Sequence, residues 1–341
     1  MRIGIETLAA VLLASACATR QAPAQDTPLI SGGVGFITST NGGNTTYIPV
    51  LSPLIAAPLG KHVLVESRAT LLDSFFPKGS GQGYKSSSFL GLSYLQMDYL
   101  ANRHLTVVAG EFLTPFGTYN ERLIPIWISN FESAPLSFGL GTMRTGSSVG
   151  GMLRGSAVST QTVSLDYAAY FSAASTNEQF NSARSTGGKV EVYFPRPRLE
   201  IGTSYGRLLQ GTKENFTGVH VWWEPAESPF KLRSEYAHGA HSEGFWIETD
   251  FRFTRPSNAE TPLGRLEPVL RWQQTFRSSP DSVDGLPSVD TQKGDFGLDY
   301  YLPHDVRLNT SYSRQFSSIG NRNIWQTGIV YRFMFQTWRG K

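Results

Sequence analysis

Polar and apolar residues alternate with a period of two from about residue 29 to the end of the chain, and no stretch carries a convincing helical period. The last regular segment shows the pattern most plainly. In Asn323 to Phe335, Trp325, Thr327, Ile329, Tyr331, Phe333 and Phe335 fall on one face, opposite Gln326, Gly328, Val330 and Arg332. An edge strand this aromatic would be a sticky template in water, whereas in a closed sheet facing hydrocarbon the same face is useful.

Cutting the chain at its turn residues predicts strands over 29–40, 46–56, 61–74, 88–100, 104–115, 147–158, 162–174, 186–195, 198–209, 215–224, 230–240, 244–256, 265–277, 293–303, 306–316 and 323–335. That reading gives sixteen antiparallel strands, with fourteen as the alternative if uncertain pairs merge. The weakest is 46–56, because Pro49 and Pro53 suit an internal ladder poorly. The joins alternate between short (101–103, 159–161, 196–197, 225–229, 303–305) and longer (75–87, 116–146, 175–185, 278–292). A transmembrane β-barrel does this, with short turns at its periplasmic end and longer loops outside. A sixteen-strand count then puts both chain ends in the periplasm.

A soluble β-sandwich also alternates, with its apolar faces paired inside. The aromatic last strand, the alternating loops and the character of the first residues favour the membrane barrel. Arg2, the mostly apolar or small stretch from Thr7 to Ala18, and Ala22-Pro23-Ala24 resemble an export signal over 1–24, which leaves 25–341 as a single barrel. The only cysteine, Cys17, lies within that signal, so the mature chain is expected to have neither disulfide nor cysteine metal site. A mean hydropathy of -0.21 is too polar for a helical membrane protein and compatible with half-polar strands. The formal charge of +3 is scattered, without a basic block for nucleic acid.

In the barrel reading the inward positions carry both signs. They are Glu66, Arg68, Glu111, Arg154, Asp166, Lys189, Glu191, Glu200, Lys231, Arg233, Glu235, Glu248, Asp250, Arg252, Arg265, Glu267, Arg271, Asp295, Asp299, Arg307 and Arg332. Neighbours of opposite sign are expected to pair and brace the wall, leaving a general hydrophilic path. The longest join, 116–146, carries Trp127, Phe131 and Phe138, too apolar for a wholly solvated loop. Folding back into the barrel would bury them and bring Glu121, Arg122, Glu132 or Arg144 into the water path. An outer cap or a subunit contact are the other readings.

Catalytic and metal chemistry find little here. The six histidines form no H-E-x-x-H pattern and no serine sits in a glycine elbow. His238 and His241 are close in sequence, but an extended chain does not bring them together. No cofactor and no metal is expected.

Gly110-Glu-Phe112-Leu-Thr-Pro115-Phe116-Gly117 resembles the G-x-F-x-x-P-F-G segment of bacterial outer-membrane porins of the phosphate-selective and related groups. Gln326, Gly328, Tyr331 and Phe333 resemble the terminal signal read by the barrel-assembly machinery, although here the chain runs on past Phe333. The resemblance implies passive diffusion of small hydrophilic solutes or ions, outer-membrane lipids around the barrel, and a homotrimer. Phosphate-selective members imply a strongly basic path, which the acidic inward positions do not match. A plugged structural or adhesion barrel is the alternative, and an outer-membrane esterase a more distant one.

Overall fold

The computed structural model describes residues 28–79, 83–139, 142–143, 146–176, 182–211, 213–226, 228–254, 260–279 and 284–336. The expected signal segment 1–24 and Arg144 lie outside these residues.

Sixteen strands form one closed antiparallel barrel. They are β1 (Leu29–Asn41), β2 (Asn44–Leu59), β3 (Val63–Pro77), β4 (Tyr84–Asn102), β5 (Leu105–Leu113), β6 (Ser147–Ser159), β7 (Ser164–Ser172) and β8 (Ser185–Phe194). The second half comprises β9 (Leu199–Leu208), β10 (Asn215–Trp223), β11 (Phe230–His238), β12 (Ser242–Phe251), β13 (Leu266–Arg277), β14 (Thr291–Leu302), β15 (Val306–Ser317) and β16 (Arg322–Gln336). Each strand pairs with its sequence neighbours, and β1 closes on β16 from Leu29↔Gln336 to Asn41↔Ile324. Closure satisfies every edge, the condition for a sheet in hydrocarbon. Both ends of the described chain lie at one rim, the rim of the short turns.

The proline pair in β2 is accommodated on one side only. Pro49 and Pro53 are four residues apart, so their missing N–H groups point to the same neighbour. The register with β1 is continuous through Phe36↔Pro49 and Gly32↔Pro53, whereas the β2–β3 register skips 48–49 and 52–53. Ser52 Oγ fills part of the gap, donating to the Ala69 carbonyl at 3.1 Å. The β1–β2 hairpin turns on Gly42 and Gly43, with φ of 56° and 81°, the left-handed pair that a two-residue hairpin loop requires.

The wall is apolar outside and polar inside. Val34, Met97, Leu153, Ile201, Val219, Leu270, Phe296 and Ile329 are exposed on the outer face. Arg233, Glu235, Glu248, Asp250, Arg271, Asp295 and Arg307 are buried on the inner one. Burial on the inner face comes from the segment between β5 and β6, which folds into the lumen. Phe116, Tyr119, Leu123, Phe138 and Met143 of that segment form a core with Ala237 and Trp246 of the wall. Each large side chain so buried stabilises the seat by about 1.5–3 kcal/mol.

Several expected boundaries shift, those of β12 and β13 among them. The β12 ladder ends at Phe251 and not at residue 256; beyond it, Arg252 and Phe253 bond singly to the carbonyls of Pro229 and Leu266. The start of β13 moves to Leu266 because Pro262 opens a 3-10 turn over Leu263–Arg265.

Candidate functional site: the lumen and its inserted loop

The loop enters the lumen at Gly117, whose φ of 65° is a left-handed turn that favours glycine. Thr118 and Tyr119 then present their N–H groups to Glu235 Oε2 on β11, at 3.2 and 3.1 Å. One turn of π-helix follows over Tyr119–Leu123. Asn120 ties the two roots of the loop together: its Nδ2 donates to the carbonyls of Thr114 and Gly146 (both 2.9 Å), and its Oδ1 accepts from Gly146 N (2.8 Å). The inward-facing loop is thereby held at entry and exit.

Glu121 and Arg122 reach the wall at β8 and β9. Glu121 pairs with Lys189, and Arg122 pairs with Glu200 at 2.8 Å and Glu191 at 3.6 Å. Lys189 also meets Glu191 at 2.9 Å, and His220 Nε2 on β10 lies 3.3 Å from Glu191. Burial works against the charge on Arg122, yet Glu200 and Glu191 beside it carry its pKa above the ordinary guanidinium value. Donor atoms of Glu191, Glu200 and His220 lie within 4.8 Å of one another, a spacing that suits a metal ion. The carboxylate oxygens there are already held by the ammonium of Lys189 and the guanidinium of Arg122.

Farther along, the loop crosses to the opposite wall. Trp127 lies over Gly33 and Ile126 over Gly35 on the inner face of β1, where any side chain would collide or crowd. Arg307 Nη2 on β15 donates to the carbonyls of Ile126 (2.8 Å) and Ser129 (2.5 Å), while its Nη1 lies 3.4 Å from Asp299. Asn130 Nδ2 donates to Glu248 and Asp250 on β12, at 3.0 and 3.2 Å. Glu132 pairs with Asn309, and burial raises its carboxyl above the usual range. Arg271 on β13 holds Asp295 at 3.0 Å, reaches the Ser133 carbonyl at 2.8 Å and lies over the Phe131 ring at 4.4 Å. Tyr119 packs edge-on to Trp246 at 6.1 Å, and burial pushes its phenol up to about 12.

Gly218, Gly244, Gly297 and Gly328 face Phe116, Ser137, Phe131 and Glu132 in the same way that Gly33 faces Trp127. The seat of the loop is paved with glycine. Among the described residues, the hydrogen bonds and ion pairs of 116–146 to the wall fall on strands from β8 to β15. Opposite that seat, between Glu121 and β3, β4 and β6, lies a cavity of about 160 Å³ lined by Glu66, Arg68, Tyr94, Gln96, Leu113, Glu121, Met152 and Arg154.

The remaining expected wall residues divide as follows. Lys231 meets Asp250 at 3.2 Å and Glu267 at 3.7 Å; Arg233 meets Asp250 at 3.2 Å and Glu248 at 3.3 Å. Arg252 lies over the Tyr301 ring at 4.1 Å, and Arg154 pairs with Asp98. Asp166 accepts from Ser164 Oγ at 3.1 Å. Arg332 has inward parity but is exposed at the short-turn rim. Two assignments need correction. Arg265 is not a wall residue: it sits in the 3-10 turn and pairs with exposed Glu260 at 3.0 Å. Glu111 is in register with Leu95 and Val149, which alternate with inward Gln96 and Ser148, and it accepts from Ser147 Oγ at 2.5 Å. The register is continuous through Gly110 on both sides, so Glu111 keeps the parity of Val107 and Ala109.

His220, Asn130, Tyr94 and Gln96 were not singled out by the sequence reading, although strand parity alone turns His220, Tyr94 and Gln96 inward. His238 and His241 take separate partners, Glu243 at 3.3 Å and Glu214 at 3.2 Å. Ser279 Oγ lies 2.5 Å from His241 Nδ1, which gives a serine–histidine–carboxylate chain at the long-loop rim. The N–H groups of Ser278 and Ser279 both donate to the His241 carbonyl, so these adjacent oxyanion donors are engaged.

Neither a family model nor a curated relative matches the sequence. Solved structures do resemble the fold. OmpF of Salmonella typhi, solved in complex with daunomycin, aligns with a TM-score of 0.59 at 10% identity, over 90% of this chain and 97% of that one. The outer membrane channel DcaP of Acinetobacter baumannii aligns at 0.57 and 12% identity, over 93% and 100%. An anion-selective porin from Comamonas acidovorans aligns at 0.53 and 11%, over 90% and 99%. At these identities the likeness is one of fold.

Proposed function

We propose that this chain is a porin of the bacterial outer membrane, through which small hydrophilic solutes and ions diffuse down their gradients. The observation that carries the reading is the lopsided seating of 116–146. The loop is bonded to β8–β15 and packed on β1, while a polar cavity remains on the β3–β6 side. A channel narrowed by an inserted loop selects by width and by the charges at the narrowing. The apolar outer face, the closed sheet and the likeness to solved outer-membrane channels support the same reading.

In this reading the short-turn rim and both chain ends face the periplasm, and residues 1–24 are the export signal. Gln326, Gly328, Tyr331 and Phe333 serve recognition by the assembly machinery. Tyr331 fits a contact outside the barrel, being exposed on the outer face. Outer-membrane lipids cover the apolar belt, and a homotrimer is the expected assembly.

Purified protein inserted into a planar lipid bilayer should give discrete conductance steps in potassium chloride. Absence of conductance after verified insertion overturns the channel reading. The apolar core that the loop forms inside the lumen favours a second reading, a plugged barrel. Shortening the loop separates them: a conductance that merely grows supports a constriction, and a conductance that first appears supports a plug.

A further inference from the structure

The cavity beside the loop holds one cation and one anion that the rest of the wall leaves uncompensated. Arg154 is paired with Asp98, and Glu121 with Lys189. Arg68 is 3% exposed, and among the described residues no carboxylate pairs with it. Its guanidinium lies 5.2 Å from the centre of the Tyr94 ring, and one terminal nitrogen is buried without a hydrogen-bond partner. Glu66, two residues earlier on the inner face of β3, has no cation within ion-pair distance among the described residues. Among the described residues it accepts a hydrogen bond from Gln96 Nε2 alone, at 3.4 Å. Burying an unpaired guanidinium is costly, and a partner supplied by a solute would offset that cost.

We infer that Arg68 and Glu66 form a binding subsite for a small zwitterion of the α-amino acid class, with its carboxylate on Arg68 and its ammonium on Glu66. The inference rests on the channel reading for its biological setting and on the cavity alone for its chemistry. Inward side chains two residues apart on a strand stand roughly 7 Å from each other. One small molecule carrying both charges can therefore touch both groups, whereas an inorganic ion can touch only one. A guanidinium takes a carboxylate through two parallel N–H donors, and Gln96 and Tyr94 line the same cavity to complete a polar cradle. The volume of about 160 Å³ holds several water molecules, the scale of a small amino acid and not of an oligosaccharide. Weak binding at such a place speeds selective passage, provided that release stays fast.

The test uses the full folded chain with L-serine as probe, and its single-charge relatives ethanolamine and 3-hydroxypropanoate as comparisons. Channel current in bilayers is recorded first without solute, then with each. L-serine is expected to interrupt the current at concentrations roughly tenfold below either relative, the scale of one lost charge-assisted contact. Arg68→Gln should abolish the advantage over ethanolamine, and Glu66→Gln the advantage over 3-hydroxypropanoate. Saturation-transfer NMR of L-serine with the folded protein in detergent reads binding independently of conductance. Binding that depends on Arg68 and Glu66 in a non-conducting protein keeps the subsite and removes the channel reading. A conducting protein in which 3-hydroxypropanoate matches L-serine, or in which both variants behave as the parent, overturns the subsite. Should Arg68→Gln fail to fold, Glu66→Gln and the solute series decide alone.

Discussion

The Glu235 carboxylate and the Tyr119 amide meet at 3.1 Å across 116 positions of sequence. The same oxygen accepts from Thr118 N, so an acid on the wall receives two buried amides of the loop where it enters the lumen. Glu235→Ala removes that acceptor and leaves two buried N–H groups unpaired, at a cost of about 1–3 kcal/mol each. Single-channel recordings should show a larger and noisier conductance, with Glu235→Gln, which keeps an acceptor oxygen, closer to the parent.

Gly117→Ala should harm the fold through the same contact. The φ of 65° strains any side chain by about 1–2 kcal/mol, and a Cβ there would run into the Glu235 carboxylate. The temperature at which the folded band is lost in heated detergent gels should fall. Combining Gly117→Ala with Glu235→Ala should cost less than the sum of the two, since one variant removes the obstacle met by the other.

Two arginines within one strand's length of each other should respond very differently. Arg271 is buried between Asp295, Glu248 and the Ser133 carbonyl. Arg271→Met leaves buried carboxylates short of a partner and should destabilise by about 3–5 kcal/mol. Arg265 pairs with an exposed Glu260, and Arg265→Met should change stability by about 0–1 kcal/mol. Thermal unfolding of both variants checks the contrast.

Glu132 gives the loop a pH dependence of known sign. Burial raises its carboxyl above the ordinary value of 4.5, against the opposing pull of Asn309 and Arg307. A group whose folded pKa is raised contributes stability that is complete below its unfolded pKa and is lost as pH rises through the folded one. Loop seating should therefore weaken as pH climbs from about 4.5, and Glu132→Gln should flatten that part of the profile. Protease susceptibility of the loop against pH, in parent and variant, measures it.

Period-two alternation carried the barrel a long way. Every expected strand has its counterpart, including β2, where the four-residue spacing of Pro49 and Pro53 sends both missing donors toward β3. Parity also turned Arg233, Glu248, Asp250 and Arg271 inward. The misplacements were Glu111, which shares the parity of outward Val107 and Ala109, and Arg265, which the turn opened by Pro262 keeps out of β13. The partners of the loop were not legible. Asn130 meets Glu248 and Asp250 only because the barrel closes and carries distant strands across the lumen, a relation that no local pattern encodes. The glycines under the loop were visible as composition, but their common role depends on which face each one occupies.

That glycine-paved seat divides the molecule into a part that resists change and a part that tolerates it. A methyl group added at Gly33 or Gly297 pushes on Trp127 or Phe131 and shifts the whole insert. Glu66 and Arg68 of β3 and Tyr94 and Gln96 of β4, by contrast, line the cavity that the loop leaves unfilled. Redesign aimed at a different cargo should be confined to those two strands, where new side chains can be tried without remaking the frame that holds the passage narrow.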